Sequence, residues 1–252
     1  MKFAVYLPPQ ASQKKLPVLY YLSGLTCSEE IFMTEAQAQA HAKKYEVILV
    51  VPDTSPRNTG IEGEDDSYDL GSGAGFYVDA TTPKWSKHYK MDSYVTQELR
   101  RIIENQFPVI PEKRGIFGHS MGGHGALVLG LRNPDLYRSI SAFSPICVPS
   151  KAPWGIKAFS EYLGTNQTVW AAYDANELIK KTYSKKPPIL IDQGLDDEFL
   201  PNELFTDAFE KTAKEAGYPV TIRRQEGYDH SYFFISTFIE EHIAFHAKQL
   251  NG

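Results

Sequence analysis

Gly118-His119-Ser120-Met121-Gly122 sets a serine between two glycines, directly after a short apolar run and directly before a helical pattern. Small flanking residues let the chain turn sharply from strand into helix. The turn lifts the Ser120 hydroxyl above the sheet edge, at a helix N-terminus whose backbone N–H groups lack partners. Serine is a poor nucleophile at neutral pH, so a base must take its proton and a carboxylate must orient that base. Both follow in the chain. The run ILIDQG (189–194) reads as a late strand, and its loop carries Asp196 and Asp197. Asp196 is preferred as the acid, with Asp197 its competitor. His230 lies in a loop ahead of the last helical pattern, where the base is expected. His119 flanks the nucleophile, so its side chain is expected to point away from the base. His124 reads as a packing or hydrogen-bonding residue, Asp229 as a local turn acid, and His41, His88, His242 and His246 as solvated or helix-face residues.

Attack on a carbonyl also needs two donors aimed at the developing negative charge, each contributing roughly 3 kcal/mol to the transition state. One is the backbone N–H of Met121, the residue after the nucleophile. The other comes from the loop after an early strand. In YYLSGLTC (20–27) Leu25 is the choice, with Gly24 or Thr26 as alternatives. The glycine run 71–75 neither follows a clear strand nor opens a clear helix, and it lacks the G-K-[ST] of a phosphate loop. No His, Cys or Asp cluster has metal-ligand spacing, so no catalytic metal is expected.

These residues need elements to hold them. Strand-like runs at Phe3–Leu7, Val18–Leu22, Val47–Val51, Gly115–Phe117, Ser139–Phe143, Ile189–Asp192 and Val220–Arg223 alternate with helical spacing at Thr34–Tyr45, Met91–Phe107, Met121–Leu131, Asn202–Ala216 and Tyr232–Leu250. Alternating β and α predicts an α/β fold with a mostly parallel sheet and helices on both faces. The opening pair, Phe3–Leu7 then Val18–Leu22, reads as an antiparallel hairpin. Asn202 marks a helix start and Gly217 a stop. Pro52–Lys87 and Pro145–Thr168 read as long irregular stretches, and their Tyr and Trp content predicts ordered loops over an active site. No repeat or composition shift marks a boundary, so residues 1–252 are expected to form one domain.

A net charge of −5 gives no basic footprint for nucleic acid. The longest apolar runs are strand-length, far short of a membrane span. Cys27 and Cys147 are too few for a disulfide scaffold and fit a reducing compartment. No basic, apolar leader opens the chain. A soluble cytoplasmic protein acting on a small molecule is the expectation.

With these residues in place, the chain closely resembles the S-formylglutathione hydrolase family of α/β-hydrolases. The matching stretches are KFAVYLPP (2–9), YLSGLTC (21–27), VPDTSPR (51–57), GEDDSYDLGSGAGFYVDAT (63–81), FGHSMGGHGAL (117–127), PWG (153–155), YLGT (162–165), DQGLDDEFL (192–200) and EGYDHSYFFI (226–235). The resemblance implies an α/β-hydrolase fold and a triad of Ser120, Asp196 and His230. It implies hydrolysis of S-formylglutathione to formate and glutathione, the last step of formaldehyde removal, with side activity on short-chain esters. It implies no cofactor, a cytoplasmic enzyme and a homodimer. Cys27 matches a family cysteine near the nucleophile, and Trp154 a tryptophan over the acyl pocket. The family carries additional early antiparallel strands before KFAVYLPP, which this chain is expected to lack. The rival readings are a general short-chain carboxylesterase or an acyltransferase of the same fold, since the triad is common to all three.

Overall fold

All seven apolar runs form strands of a single sheet in a computed structural model, which describes residues 1–181 and 183–252. The strands are β1 (Phe3–Tyr6), β2 (Leu16–Leu22), β3 (Ile48–Pro52), β4 (Val109–His119), β5 (Ser139–Phe143), β6 (Ile189–Gly194) and β7 (Val220–Gln225). Their order is β1-β3-β2-β4-β5-β6-β7, and every neighbouring pair is parallel except β1 on β3. Residues of β2 and β3 are buried without exception. Period-two alternation sends Val18, Tyr20 and Leu22 to one face of the sheet and Leu19 and Tyr21 to the other, into two separate apolar clusters. Continuous apolar strands of this kind need cover on both faces, which the helices supply.

The hairpin expected at the start does not form. β1 runs antiparallel along β3, with Phe3 opposite Pro52 and Tyr6 opposite Leu49. Every β2 residue is buried, which suits a central strand with parallel partners on both sides. The short, half-buried β1 suits the edge.

In chain order the helices are α1 (Ile31–Glu35), α2 (Ala38–Lys44), α3 (Met91–Ser93), α4 (Arg100–Gln106), α5 (Met121–Arg132), α6 (Pro153–Leu163), α7 (Gln167–Trp170), α8 (Ala175–Leu178), α9 (Thr206–Glu215) and α10 (Tyr232–Asn251). Three expected helices are broken. Gln37, in the left-handed region at φ 54°, separates α1 from α2. A π-helical turn over Tyr94–Leu99 joins α3 to α4. Phe205, also left-handed, delays α9 until Thr206, while Gly217 stops it at φ 60° as expected. The stretch read as irregular at 145–168 contains α6. Pro153 opens that helix and Gly164 follows it at φ 83°. By contrast, 53–87 forms no helix or extended strand, yet it buries Phe76, Tyr77 and Trp85 completely. Among the described residues no helix is long and apolar enough to cross a membrane.

Candidate active site

Ser120 links β4 to α5 with φ 57° and ψ −119°, a left-handed conformation that a non-glycine residue adopts at a cost of about 1–3 kcal/mol. Its surroundings hold it there. The Ser120 N–H donates to Phe143 O at 3.0 Å, and its carbonyl accepts from the N–H groups of His124 (2.9 Å) and Ile146 (3.3 Å). The two glycines are required by close approach. A Cβ on Gly118 would lie 2.3 Å from Gly122 O, and one on Gly122 would lie 1.9 Å from Leu22 O. The turn is therefore pressed against the end of β2, whose following loop reaches the nucleophile. A Cβ at Gly24 would stand 3.3 Å from Ser120 Cβ.

That loop and the α5 N-terminus present free amides on the same edge of the sheet. Among the described residues the N–H groups of Met121, Gly24 and Leu25 find no acceptor. Thr26, an alternative from the sequence, is excluded because its N–H donates to Gly73 O at 2.9 Å. The glycine run 71–75 thus buttresses this loop.

The carboxylate that pairs with His230 is Asp197, not the expected Asp196. His230 Nδ1 donates to Asp197 Oδ2 at 2.5 Å, and Asp197 is buried, whereas Asp196 is exposed. The backbone explains the difference. Asp196 N–H donates to Tyr228 O at 3.0 Å, tying the β6 loop to the His230 loop through the main chain and leaving the Asp196 side chain in solvent. Asp197 turns inward. Its Oδ1 accepts the N–H of Phe199 at 2.9 Å, an Asx turn, and its Oδ2 also accepts from Gln193 Nε2 at 3.3 Å. Burial alone would raise the Asp197 pKa, but His230 and the Phe199 amide outweigh it and hold the carboxyl below the usual range. Asp-Glu-Phe (197–199), an Asx turn leading into an apolar residue, is the local signal that favours the second acid.

Other side chains complete the surroundings. His119 does not point away from the base: its ring centroid lies 4.4 Å from that of His230, and neither ring nitrogen has a protein partner. Burial, then the neighbouring His230, push its pKa well below the ordinary histidine value, so it is neutral. Phe199 packs on His230 at 4.9 Å and on Trp154 at 4.7 Å, and the Trp154 indole N–H donates to Tyr68 OH at 2.9 Å. Trp154 therefore reaches the site through Phe199, a residue the sequence did not single out. Cys27 is half-buried, and burial pushes its thiol pKa up. Its carbonyl accepts from Thr54 Oγ1 (2.6 Å) and Arg57 Nη2 (3.1 Å). His124 makes the expected packing contact, with Nε2 donating to Phe76 O at 2.9 Å. Asp229 caps its turn by accepting from the Ser231 N–H and hydroxyl. His242 and His246, read as solvated or helix-face residues, are fully buried between α10 and the sheet. His242 Nε2 donates to Asp192 Oδ2 at 2.9 Å and its Nδ1 pairs with Ser141 Oγ at 2.8 Å, while His246 pairs with Ser139 and Ser141. Among the described residues no group of three or more His, Cys, Asp or Glu could hold a metal ion.

A strained serine, a buried carboxylate–imidazole pair and free amides on one sheet edge are the parts of an acyl-transfer site. A family model described as "Putative esterase" matches residues 1–245. Rat S-formylglutathione hydrolase is 56% identical over 253 residues, covering 100% of this chain and 90% of the relative. The chain belongs to the S-formylglutathione hydrolase family of esterases. The bovine member is 54% identical over the same coverage. The solved S-formylglutathione hydrolase of Agrobacterium tumefaciens superimposes with a TM-score of 0.95 at 44% identity, covering 98% of this chain and 89% of that one. The chain is thus a hydrolase with the α/β-hydrolase fold of its family.

Proposed function

We propose that the protein hydrolyses S-formylglutathione to formate and glutathione through a formyl-serine intermediate, as one domain spanning 1–252. The observation that carries the substrate is the 54–56% identity to S-formylglutathione hydrolases along the whole chain. In this mechanism His230 Nε2 takes the Ser120 proton as Oγ attacks the formyl carbon. Asp197 holds Nδ1–H and stabilises the imidazolium. The amides of Met121 and Leu25 receive the oxyanion. The C–S bond breaks, the thiolate takes the proton from His230, and a water deprotonated by His230 then releases formate. No metal or cofactor is needed for these steps. A cytoplasmic location and a homodimer are part of the proposal and rest on the family likeness.

Steady-state rates of the purified chain test it. kcat/KM for S-formylglutathione is expected to exceed that for 4-nitrophenyl acetate by at least about 100-fold, the gain from binding energy in the leaving group. Equal values would replace the proposal with a general short-chain carboxylesterase, and transfer of the acyl group to an added alcohol in preference to water would replace it with an acyltransferase.

Phe199 and Trp154, packed beside His230, support a narrow acyl pocket. Each methylene that must displace packed side chains costs roughly 1–3 kcal/mol. Hexanoate esters are accordingly expected to react at least about 50-fold more slowly than acetate esters, and Phe199→Ala to recover much of that loss. Chain-length profiles of both proteins decide this; a flat wild-type profile would remove the narrow pocket.

A further inference from the structure

A cleft of about 1010 Å³ lies at the C-terminal end of β3, between the loop after β2 and the π-helical turn. That volume is at the upper end of small-molecule sites, which run roughly 300–1,000 Å³. Two of its lining groups are unpaired. Tyr94 is 8% exposed, and its hydroxyl has no hydrogen-bond partner. Glu29 is 7% exposed, and its carboxylate enters no ion pair or hydrogen bond among the described residues. A carboxylate that opens into a cleft without a partner is free to pair with an incoming cation that carries N–H donors. The acid beside it is already satisfied: Asp53 accepts from Arg57 Nε and Nη2 at 2.8 and 2.9 Å. Lys87, Lys90 and Arg101 add positive charge to the cleft lining. Its chemistry therefore suits a zwitterion with one ammonium and at least one carboxylate.

Its position suits the same ligand. β3, β2 and β4 are adjacent and parallel, so the end of β3 is two strand spacings from the end of β4, about 10 Å. The loop joining the two places is short, with Gly24 at the nucleophile side and Ser28–Glu30 in the cleft. Open α/β sheets bind ligands along this carboxyl edge. In a γ-glutamyl-cysteinyl unit, seven bonds separate the sulfur from the glutamyl Cα. With bond lengths near 1.5 Å they span about 9 Å when extended. A thiol leaving Ser120 would thus place its amino-acid head in the cleft.

We propose that this cleft is the subsite for the ammonium–carboxylate head of the leaving group, with Glu29 and the Tyr94 oxygen accepting from the ammonium. The assignment rests on the S-formylglutathione reading and adds where its leaving group is held. Charge-assisted hydrogen bonds of this kind make Glu29→Gln and Tyr94→Phe worth about tenfold or more in kcat/KM for S-formylglutathione. Neither change touches the reacting atoms, so kcat/KM for 4-nitrophenyl acetate stays within about twofold, which also shows that the variants fold. The matching probe is S-formyl desamino-glutathione, which lacks the ammonium. The wild type is expected to lose about tenfold on it, and Glu29→Gln to lose nothing further, since both changes delete the same contact. Unchanged thioester kinetics in both variants, with a wild type that does prefer S-formylglutathione, would overturn the subsite alone. A wild type with no such preference would overturn the substrate and the subsite together. Independent, multiplicative losses from desamino substrate and Glu29→Gln would place the ammonium elsewhere.

Discussion

Asp197→Asn is expected to lower kcat by about 10⁴-fold, while Asp196→Asn leaves it within about twofold. The two residues are adjacent and chemically identical, so only their placement separates them. Asp197 is buried against His230 Nδ1 at 2.5 Å; Asp196 stands in solvent and contributes a backbone hydrogen bond. An asparagine at 197 can donate its amide to Nδ1. The imidazole then carries its proton on Nε2 and cannot accept one from Ser120. Ser120→Ala removes the nucleophile and should fall to a similar residual rate, because members of a triad act as a unit. Rates on S-formylglutathione and on an acetate ester, with circular dichroism to confirm folding, give the comparison. If Asp196→Asn were the damaging change, the displaced acid would have to be restored to 196 and the proposed mechanism rewritten.

Acid unfolding is expected to begin below about pH 6.5 and to be steep. Four buried histidines are held neutral in the fold. Burial, the largest cause at each, lowers His119 and His246 well below the ordinary value, lowers His242, and brings His124 to about 4. The sign is fixed by proton counting. Each folded pKa lies below the unfolded value near 6.5, so the unfolded chain binds more protons as pH falls and stability drops with it. One such group costs about 1.4 kcal/mol per pH unit once the pH is below the unfolded pKa. The effects of the four act in the same direction, so the fall in stability steepens as pH drops below about 6.5. Asp192 works in the same direction only at lower pH. Burial would raise its pKa, but His242, Arg223 and Gln225 hold it at about 2, so the stability it contributes is present above about pH 4 and is lost as pH falls through 2. Urea midpoints measured from pH 8 to 4 read the slope. His119→Phe removes one titrating group and two unpaired nitrogens, and should flatten the slope. A stability flat from pH 8 to 5 would show that these rings already charge inside the fold.

Chemistry in this chain was legible wherever local pattern dictates conformation. The glycines at 118 and 122 announce a turn that only Cβ-free neighbours allow, and the 1.9 Å approach to Leu22 O is the structural form of that requirement. Seven apolar runs and their alternation with helical spacing foretell seven strands in one mostly parallel sheet, because side-chain period and burial on both faces are written residue by residue. His230, singled out from its place between the last strand and the last helix, is the ring that meets Asp197.

What the tertiary structure decided are matters of direction and partnership. Sequence placed two acids after β6 and could not say which faced inward. The answer came from a main-chain hydrogen bond between Asp196 and Tyr228, residues on different loops. It placed β1 before β2, but β3 takes β1 as its edge partner because strand order is set by which surfaces remain uncovered. His119 faces the base and His242 and His246 fill the core because β4, β5 and α10 converge there, a fact absent from the spacing within any one of them. Local sequence specifies backbone shape and apolar faces through short-range sterics and periodicity. Which polar group meets which depends on distant segments brought together, and that is decided only when the whole sheet is assembled.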